Sequence, residues 1–505
     1  MNQFHTILTL TTFLPLVGVL VLLLLKSFQQ ETEDNIRRVT LGATILTFIL
    51  SLVVLTQFDR SQTGLQLIDR FTWIRPWGIS YFLGVDGISI LMLLLTTFIS
   101  MLAIAASFPM IKAQVKQYYI FMLLLETGMI GVFLAQDLFL FYVFWEFTLV
   151  PMYFLIGIWG GAARVYAAIK FFLYTMTGSL LMLVAILYMG VSNGTFALPE
   201  LIQGRAAFAG VQNTLFLAFA IAFAIKVPIW PFHSWLPDAH TEAPTAGSII
   251  LAGILLKMGT YGFMRFNLPL FPEASIQYAP AIAVLAIIGI IYGAIVSFAQ
   301  TDVKRLVAYS SVSHLGFVML GIFSLNPAGL SGAILQGVNH GLSSGALFYI
   351  VGILYEQRHT RKISDYGGVW KVMPIFSALT LIITLSSMGL PGLNGFVGEF
   401  TILLGSMGGV AYGAQPWIFT AFATTGVILA AVYLLWMFQR VFMGPVDKVE
   451  NEHLRDITRG ELAIMLAFIL FIVWIGIAPG SFFDTMNASV KALSDVFAGL
   501  ATTMR

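Results

Sequence analysis

The sequence contains no cysteine. That removes disulfides, thiolate metal sites and iron–sulfur clusters from consideration. Charge is scarce as well: Asp, Glu, Lys and Arg make up 10% of the 505 residues, whereas a soluble domain carries about 25%. No stretch is long and polar enough to form a soluble catalytic domain, and no phosphate-cradling nucleotide loop is present.

What fills the chain instead is hydrocarbon. Hydrophobic residues account for 58% of it, and apolar runs near the roughly 20 residues that span a bilayer recur along almost its whole length. Fourteen candidate spans lie near 6–25, 39–57, 80–107, 117–135, 138–159, 165–191, 213–236, 243–265, 279–299, 303–323, 329–355, 373–411, 416–442 and 460–481. The first has no basic residue before it and no clear small-residue cleavage site after it, and reads as a retained helix rather than a signal peptide. The stretches 58–79 and 443–459 read as loops, and 485–502 as an amphipathic surface helix.

An even number of spans puts both termini on one side. With the termini outside, alternate loops hold seventeen cations inside, among them Lys26, Lys304 and Arg305, and seven outside, among them Arg205, Arg265 and Arg505. This bias fits the positive-inside rule. The two remaining cations, Lys226 and Lys257, fall within spans.

The stretch GSLLMLVAIL at 178–187 matches GALFYIVGIL at 345–354 in five of ten positions. These stretches belong to the sixth and eleventh spans, which cross in opposite senses, the mark of an inverted repeat. Two of the corresponding spans are interrupted. Span seven runs into Pro228, Pro231 and Pro237, and span twelve packs Pro391 and several glycines into SMGLPGLNGFVGEF at 387–400. Paired broken helices beside ionisable residues point to an ion site. The expected architecture is an all-α membrane protein of about fourteen helices: three leading helices (1–115), a five-helix unit (116–265), its inverted counterpart (274–445), and a trailing helix with its tail (458–505).

A charge at mid-bilayer costs at least about 2.5–3.5 kcal/mol, so the ionisable residues inside spans are the functional candidates. Glu146 sits among aromatics in span five, and its obvious partner is Lys226 beside the break in span seven. The competing reading is a static ion pair that pins two helices. Prolines after Lys226 strand backbone carbonyls, which persist in a membrane only beside protein or water. Lys257 lies thirteen residues past Pro244, about 20 Å along a helix. His314 and His340 lie on adjacent spans among Ser310, Ser311, Ser313, Asn339, Ser343 and Ser344; a wet strip, serine bonding at a tight helix interface and a bis-histidine haem are the three readings of that pattern. Glu399 follows the second break. Glu126 has no break nearby and ranks lower. His233, Asp238 and His240 fit a capped turn better than a metal site.

The stretches FYVFWEFTLVPMYFLIGIWGG, AFAIKVPIWPFHSWLPDAHTEAPTAGSIILAGILLKMGTYGFMRF, SFAQTDVKRLVAYSSVSHLGFV and LPGLNGFVGEF closely resemble the subunit M (chain 4) family of the proton-pumping NADH–quinone oxidoreductase, bacterial respiratory complex I. The resemblance runs from about 80 to 445. It implies the fourteen-helix fold with two inverted repeats and a proton relay: Glu146 matches the essential carboxylate, Lys226 its paired lysine, Lys257 the central lysine, His314 and His340 the linking histidines, and Glu399 the exit carboxylate. It further implies no cofactor or metal in this chain, redox chemistry in other subunits, L-like and N-like antiporter-like neighbours, no nucleic acid, and a place in the bacterial inner membrane. The nearest rival is the sibling membrane subunit of a multisubunit sodium–proton antiporter, which shares much of the same pattern; a non-transporting membrane scaffold is the third reading. Sodium dependence would favour the first rival, and full pumping without the mid-membrane charges the second.

Overall fold

The computed structural model describes residues 3–4, 6–25 and 30–503; Lys26 and Arg505 lie outside them. Thirteen helices among the described residues are long and apolar enough to cross a membrane. Two shorter helices, Pro374–Ser387 and Asn394–Met407, cover the expected span at 373–411. The chain divides into two compact units. One comprises 1–227, 254–278 and 484–505, the other 228–253 and 279–483.

In the first unit the departure from helix is a small antiparallel sheet, β1 (Gln3–Phe4), β2 (Gln66–Ile74) and β3 (Ile79–Val85), in the order β1-β2-β3. This corrects two expectations. The stretch 58–79 is largely a hairpin rather than a loop, and the third span starts at Ser89 rather than near 80. Periodicity could not separate β3 from the helix behind it, because every residue of ISYFLGV is buried and a fully buried strand reads as a continuous apolar run. The charges of β2 hid its strand character. Asp69 is consumed as a remote cap: it accepts hydrogen bonds from the Thr6 and Thr9 amides at 2.7 and 3.0 Å, at the start of the helix Ile7–Leu24. The tail is a helix, Gly480–Thr503, whose buried Met486, Val490 and Phe497 share one face. Its Ser489 hydroxyl accepts the Gly87 amide at 3.0 Å.

A local pattern recurs between the units. In the first, Asp137 caps the helix Leu138–Phe147 and the preceding residues exchange backbone bonds with the segment after the helix Arg164–Asn193: Leu138 N to Phe196 O at 2.9 Å and Leu198 N to Gln136 O at 2.8 Å. In the second, Asp302 caps Val303–Phe323, and Val303 N reaches Arg361 O at 2.9 Å while Ile363 N reaches Thr301 O at 2.9 Å, after the helix Pro327–Arg358. In each unit the same short bridge closes the mouth of a helix pair and satisfies backbone groups that a turn would leave open.

The helix Gln212–Lys226 stops at Lys226, and helix resumes at Trp235–Glu242. Between Ser387 and Asn394 the chain turns through Gly389 and Gly392, both at positive φ, a conformation glycine adopts without strain. The helical run 245–270 is continuous but not regular. Two π-helical turns, Leu251–Leu255 and Phe263–Asn267, flank the segment Leu256–Gly262 that carries Lys257.

Candidate functional site

Each unit holds its own constellation of polar groups. In the first, the apolar run of Gln212–Lys226 delivers Lys226 to the helix end, where the side chain is buried. Its ammonium faces rings, 5.3 Å from the Trp145 centroid and 5.6 Å from that of Phe171. It makes no hydrogen bond within the described residues. Cation–π attraction offsets part of the desolvation cost, by about 0.5–2 kcal/mol, but cannot saturate three N–H donors. Glu146, one residue past Trp145, is half-buried; Ser179, Lys226 and Tyr142 are its polar neighbours, and its Oε1 finds no donor among the described residues. The two charges therefore interact through space rather than through a direct bond.

Lys257 is fully buried. Its helix presses onto the end of the Lys226 helix. A Cβ on Gly259 would lie 2.9 Å from both Phe223 O and Val227 N, and one on Gly262 would enter the Phe223 ring. Only glycine allows this approach. The π-turn that follows carries Arg265 at its centre, a residue that the charge pattern assigns to an outer loop. It is instead buried and bidentate to Asp86, at 2.7 and 2.5 Å, with its Nε donating to Tyr261 Oη at 3.0 Å. Tyr261 in turn donates to Phe133 O at 2.8 Å. Asp86 also caps the next helix through the Ile88 and Ser89 amides. Sequence reasoning missed this network because Arg265 lies at the end of its apolar run, where an outward-pointing arginine is the ordinary expectation. The fork geometry of the guanidinium explains why it can be buried here.

In the second unit, Glu399 is buried five residues past Asn394, where helix resumes after the break. Its Oε1 meets His314 Nδ1 at 2.9 Å and accepts Gln336 Nε2 at 3.0 Å. The other ring nitrogen of His314 meets Tyr433 Oη at 3.2 Å, and the His340 ring lies 5.9 Å away, centroid to centroid. A small cavity opens here, lined by His314, Gln336, Asn339, His340, Ser343 and Ser386 among others. Asn339 Nδ2 donates to Asn394 O at 2.7 Å, the Ser343 and Ser386 hydroxyls pair at 2.7 Å, and Asn394 Oδ1 accepts the Gly395 amide at 2.9 Å, so side chains tie together the two sides of the break.

The expected serine strip divides. Ser343 and Ser344 line the cavity, whereas the Ser310, Ser311 and Ser313 hydroxyls donate to helix carbonyls. Gln336, one turn before His340, and Tyr433 were not singled out in the sequence, although a glutamine in so apolar a helix was a signal. Lys304, expected in an inner loop, is buried with its ammonium on the Ala243 carbonyl, at the C-terminus of the Trp235–Glu242 helix, a favourable end for a cation. The His233, Asp238 and His240 group is spread out: His233 lies edge-on to Tyr292, Asp238 sits 3.7 Å from Arg305, and His240 stacks on Phe348.

A family model described as NADH:quinone oxidoreductase/Mrp antiporter, transmembrane, matches residues 135–430. Among curated relatives, an NADH-quinone oxidoreductase subunit M from Rhodobacter capsulatus is 45% identical over 502 residues, covering 97% of this chain and 96% of the relative. An NADH-ubiquinone oxidoreductase chain 4 from Marchantia polymorpha is 41% identical, covering 97% of each. Among solved structures, a chain of the respiratory complex I from Thermus thermophilus with bound NADH superposes with a TM-score of 0.86 at 33% identity, covering 97% of this chain and 99% of that one. A chain of the Mrp complex from Dietzia superposes at 0.82 with 19% identity, covering 98% and 99%, a likeness of fold alone.

Proposed function

The chain belongs to the NADH-quinone oxidoreductase subunit M family, within the NADH:quinone oxidoreductase/Mrp antiporter group, and from that membership we propose that its protons move through the Glu146–Lys226–Lys257 group and the His314–His340–Glu399 group. The chain is a proton-translocating, antiporter-like, multi-span membrane subunit of a respiratory enzyme complex. The observation that carries the residue assignment is Lys226: a buried ammonium at the end of a broken helix, against two rings and without a hydrogen bond, with a half-buried carboxylate as its electrostatic neighbour.

Such an arrangement costs stability and lacks the directed bonds by which a buried ion pair recovers its desolvation cost. It suits a charge that must shift. In this mechanism Lys226 holds Glu146 in its charged form when near and releases it when it swings toward the Lys257 helix. The Lys257 helix packs against the end of the Lys226 helix, so Lys257 serves as the intermediate carrier. In the second unit Glu399 takes up or releases a proton against His314. Each proton moved against the membrane potential requires about 2.3 kcal/mol per 100 mV. We place the redox chemistry that supplies this energy in other subunits, with no cofactor or metal resident here. The further parts of the reading are antiporter-like L and N neighbours and a bacterial inner membrane with both termini outside.

The test is Lys257→Ala in the reconstituted complex. Assembly near the parental amount with strongly depressed proton uptake per NADH oxidised supports the assignment. Failure to assemble, or uptake at the parental rate, removes it. Replacing sodium by potassium in the same assay separates the sodium–proton antiporter reading, which requires uptake to follow sodium.

A further inference from the structure

The groups used so far leave one buried carboxyl without a task. Glu126 lies in the helix Val115–Leu134, fully buried, and neither carboxyl oxygen has a hydrogen-bond partner among the described residues. Among the described residues, no cation offsets it in the way that Arg265 offsets Asp86. A carboxyl that bonds nothing holds nothing in place, and burying it unsatisfied costs several kcal/mol.

The register of the two neighbouring helices sets which residues lie level with it. Ser89–Ser107 and Val115–Leu134 follow one another through a short turn, and at that end the Ser107 and Tyr119 hydroxyls meet at 3.1 Å. Two helical turns on, seven residues forward on one helix and seven back on the other, Glu126 comes level with Ser100. The Ser100 hydroxyl is also buried and also lacks a hydrogen-bond partner among the described residues. One turn beyond, Thr97 meets the Ser51 hydroxyl of the helix Gln30–Gln57 at 2.8 Å. By this register, hydroxyls stand level with the carboxyl at Ser100, two turns away at Ser107 and Tyr119, and one turn away at Thr97.

We propose that Glu126 is a further proton-carrying residue, exchanging its proton with a water bridged to Ser100 along the seam Ser107–Tyr119, Ser100–Glu126, Thr97–Ser51. On loading, an O–H bond forms on the carboxylate as one breaks on the bridging water, the water takes a proton from the Ser100 hydroxyl, and that hydroxyl is refilled by the proton entering the seam; on release each transfer runs in reverse, so water and hydroxyl end neutral. This rests on the proton-translocation reading but uses none of its six residues.

The experiment uses the whole complex in vesicles, with proton uptake per NADH oxidised and redox-induced infrared difference spectra recorded for Glu126→Gln, Glu126→Asp and Ser100→Ala. The proposal expects Glu126→Gln to assemble, to lose part of its uptake, and to lose a protonated-carboxyl band that the parent shows on turnover. Glu126→Asp restores uptake with the band shifted, and Ser100→Ala shifts the band. Parental uptake and an unchanged carboxyl spectrum in Glu126→Gln overturn it. If Glu126→Gln fails to assemble, Glu126→Asp decides: an assembled variant without a shifted band overturns it. Lys257→Ala run alongside separates the two claims. Uptake that survives Lys257→Ala counts against the broader relay, whereas uptake lost there but retained in Glu126→Gln counts against Glu126 alone.

Discussion

Lys226 and Glu399 both lie close to a broken helix, and the chain treats the two charges in opposite ways. Glu399 is met by His314 and Gln336 through directed bonds of 2.9 and 3.0 Å, and the helix ends beside it are tied by Asn339, Ser343 and Ser386. Lys226 meets the faces of Trp145 and Phe171 and, among the described residues, nothing that accepts a hydrogen bond. A charge held by directed bonds is fixed in place until those bonds break. A charge held over rings can swing at little cost, because ring attraction falls off smoothly and has no narrow angular requirement. Among the described residues, the first unit therefore carries a charge without directed bonds and the second a charge with directed bonds to one of its two oxygens.

Three substitutions break or sharpen this contrast, from the strongest expected effect on stability to the weakest. Asp86→Ala sets the upper limit of what a fully satisfied buried charge contributes. It strands Arg265 and costs about 3–5 kcal/mol, read as lost complex on solubilisation and a lowered melting temperature; adding Arg265→Met recovers most of that loss. Glu399→Ala removes the acceptor of two hydrogen bonds, and its effect of about 1.5–3 kcal/mol appears in the same melting assay together with reduced proton uptake. Lys226→Met leaves the melting temperature near parental, since ring attraction of about 0.5–2 kcal/mol and the through-space pull on the half-buried Glu146 are exchanged for relief from burial, yet it depresses uptake strongly. If Lys226→Met melts as early as Asp86→Ala, the ammonium is anchored and the contrast fails.

An exposed pair outside the spans supplies the small-effect control. Arg70 and Glu200 meet at 2.5 Å with both side chains about one-third exposed or more. Partial burial raises the Glu200 carboxyl, but the Thr195 hydroxyl and Arg70 outweigh it and hold it below its ordinary value. A depressed carboxylate stabilises the fold above its unfolded pKa, and that contribution disappears as pH falls through the folded one. Arg70→Ala should therefore cost at most about 1 kcal/mol at neutral pH and flatten the decline in melting temperature on the acid side.

Much of this was legible in the sequence because a membrane makes charge expensive. Lys226, Lys257 and Glu399 stand out as single ionisable residues in long apolar runs, and prolines or glycines mark the breaks beside two of them. What escaped notice depended on partners distant in sequence. Arg265 looks like an interfacial cation until Asp86 is placed against it. Gln336 and Tyr433 look incidental until Glu399 and His314 converge on them. Strand β3 could not be told from helix because it is buried on both faces. The π-turns around Lys257 have no signature in period or composition, since the same apolar residues serve either helical form. Such turns recur at functional sites, and here they flank the lysine assigned as the central carrier.

The most direct measurement is proton uptake into vesicles carrying the complex with Glu146→Gln and Lys226→Met together, set beside the amount assembled and the rate of NADH oxidation. Removing both charges leaves neither stranded, so the double variant should assemble at close to the parental amount and melt no earlier than either single variant. It should take up few protons per NADH oxidised, because no group remains there whose charge can change. A double variant that assembles and pumps at the parental ratio would show that Glu146 and Lys226 only hold helices together.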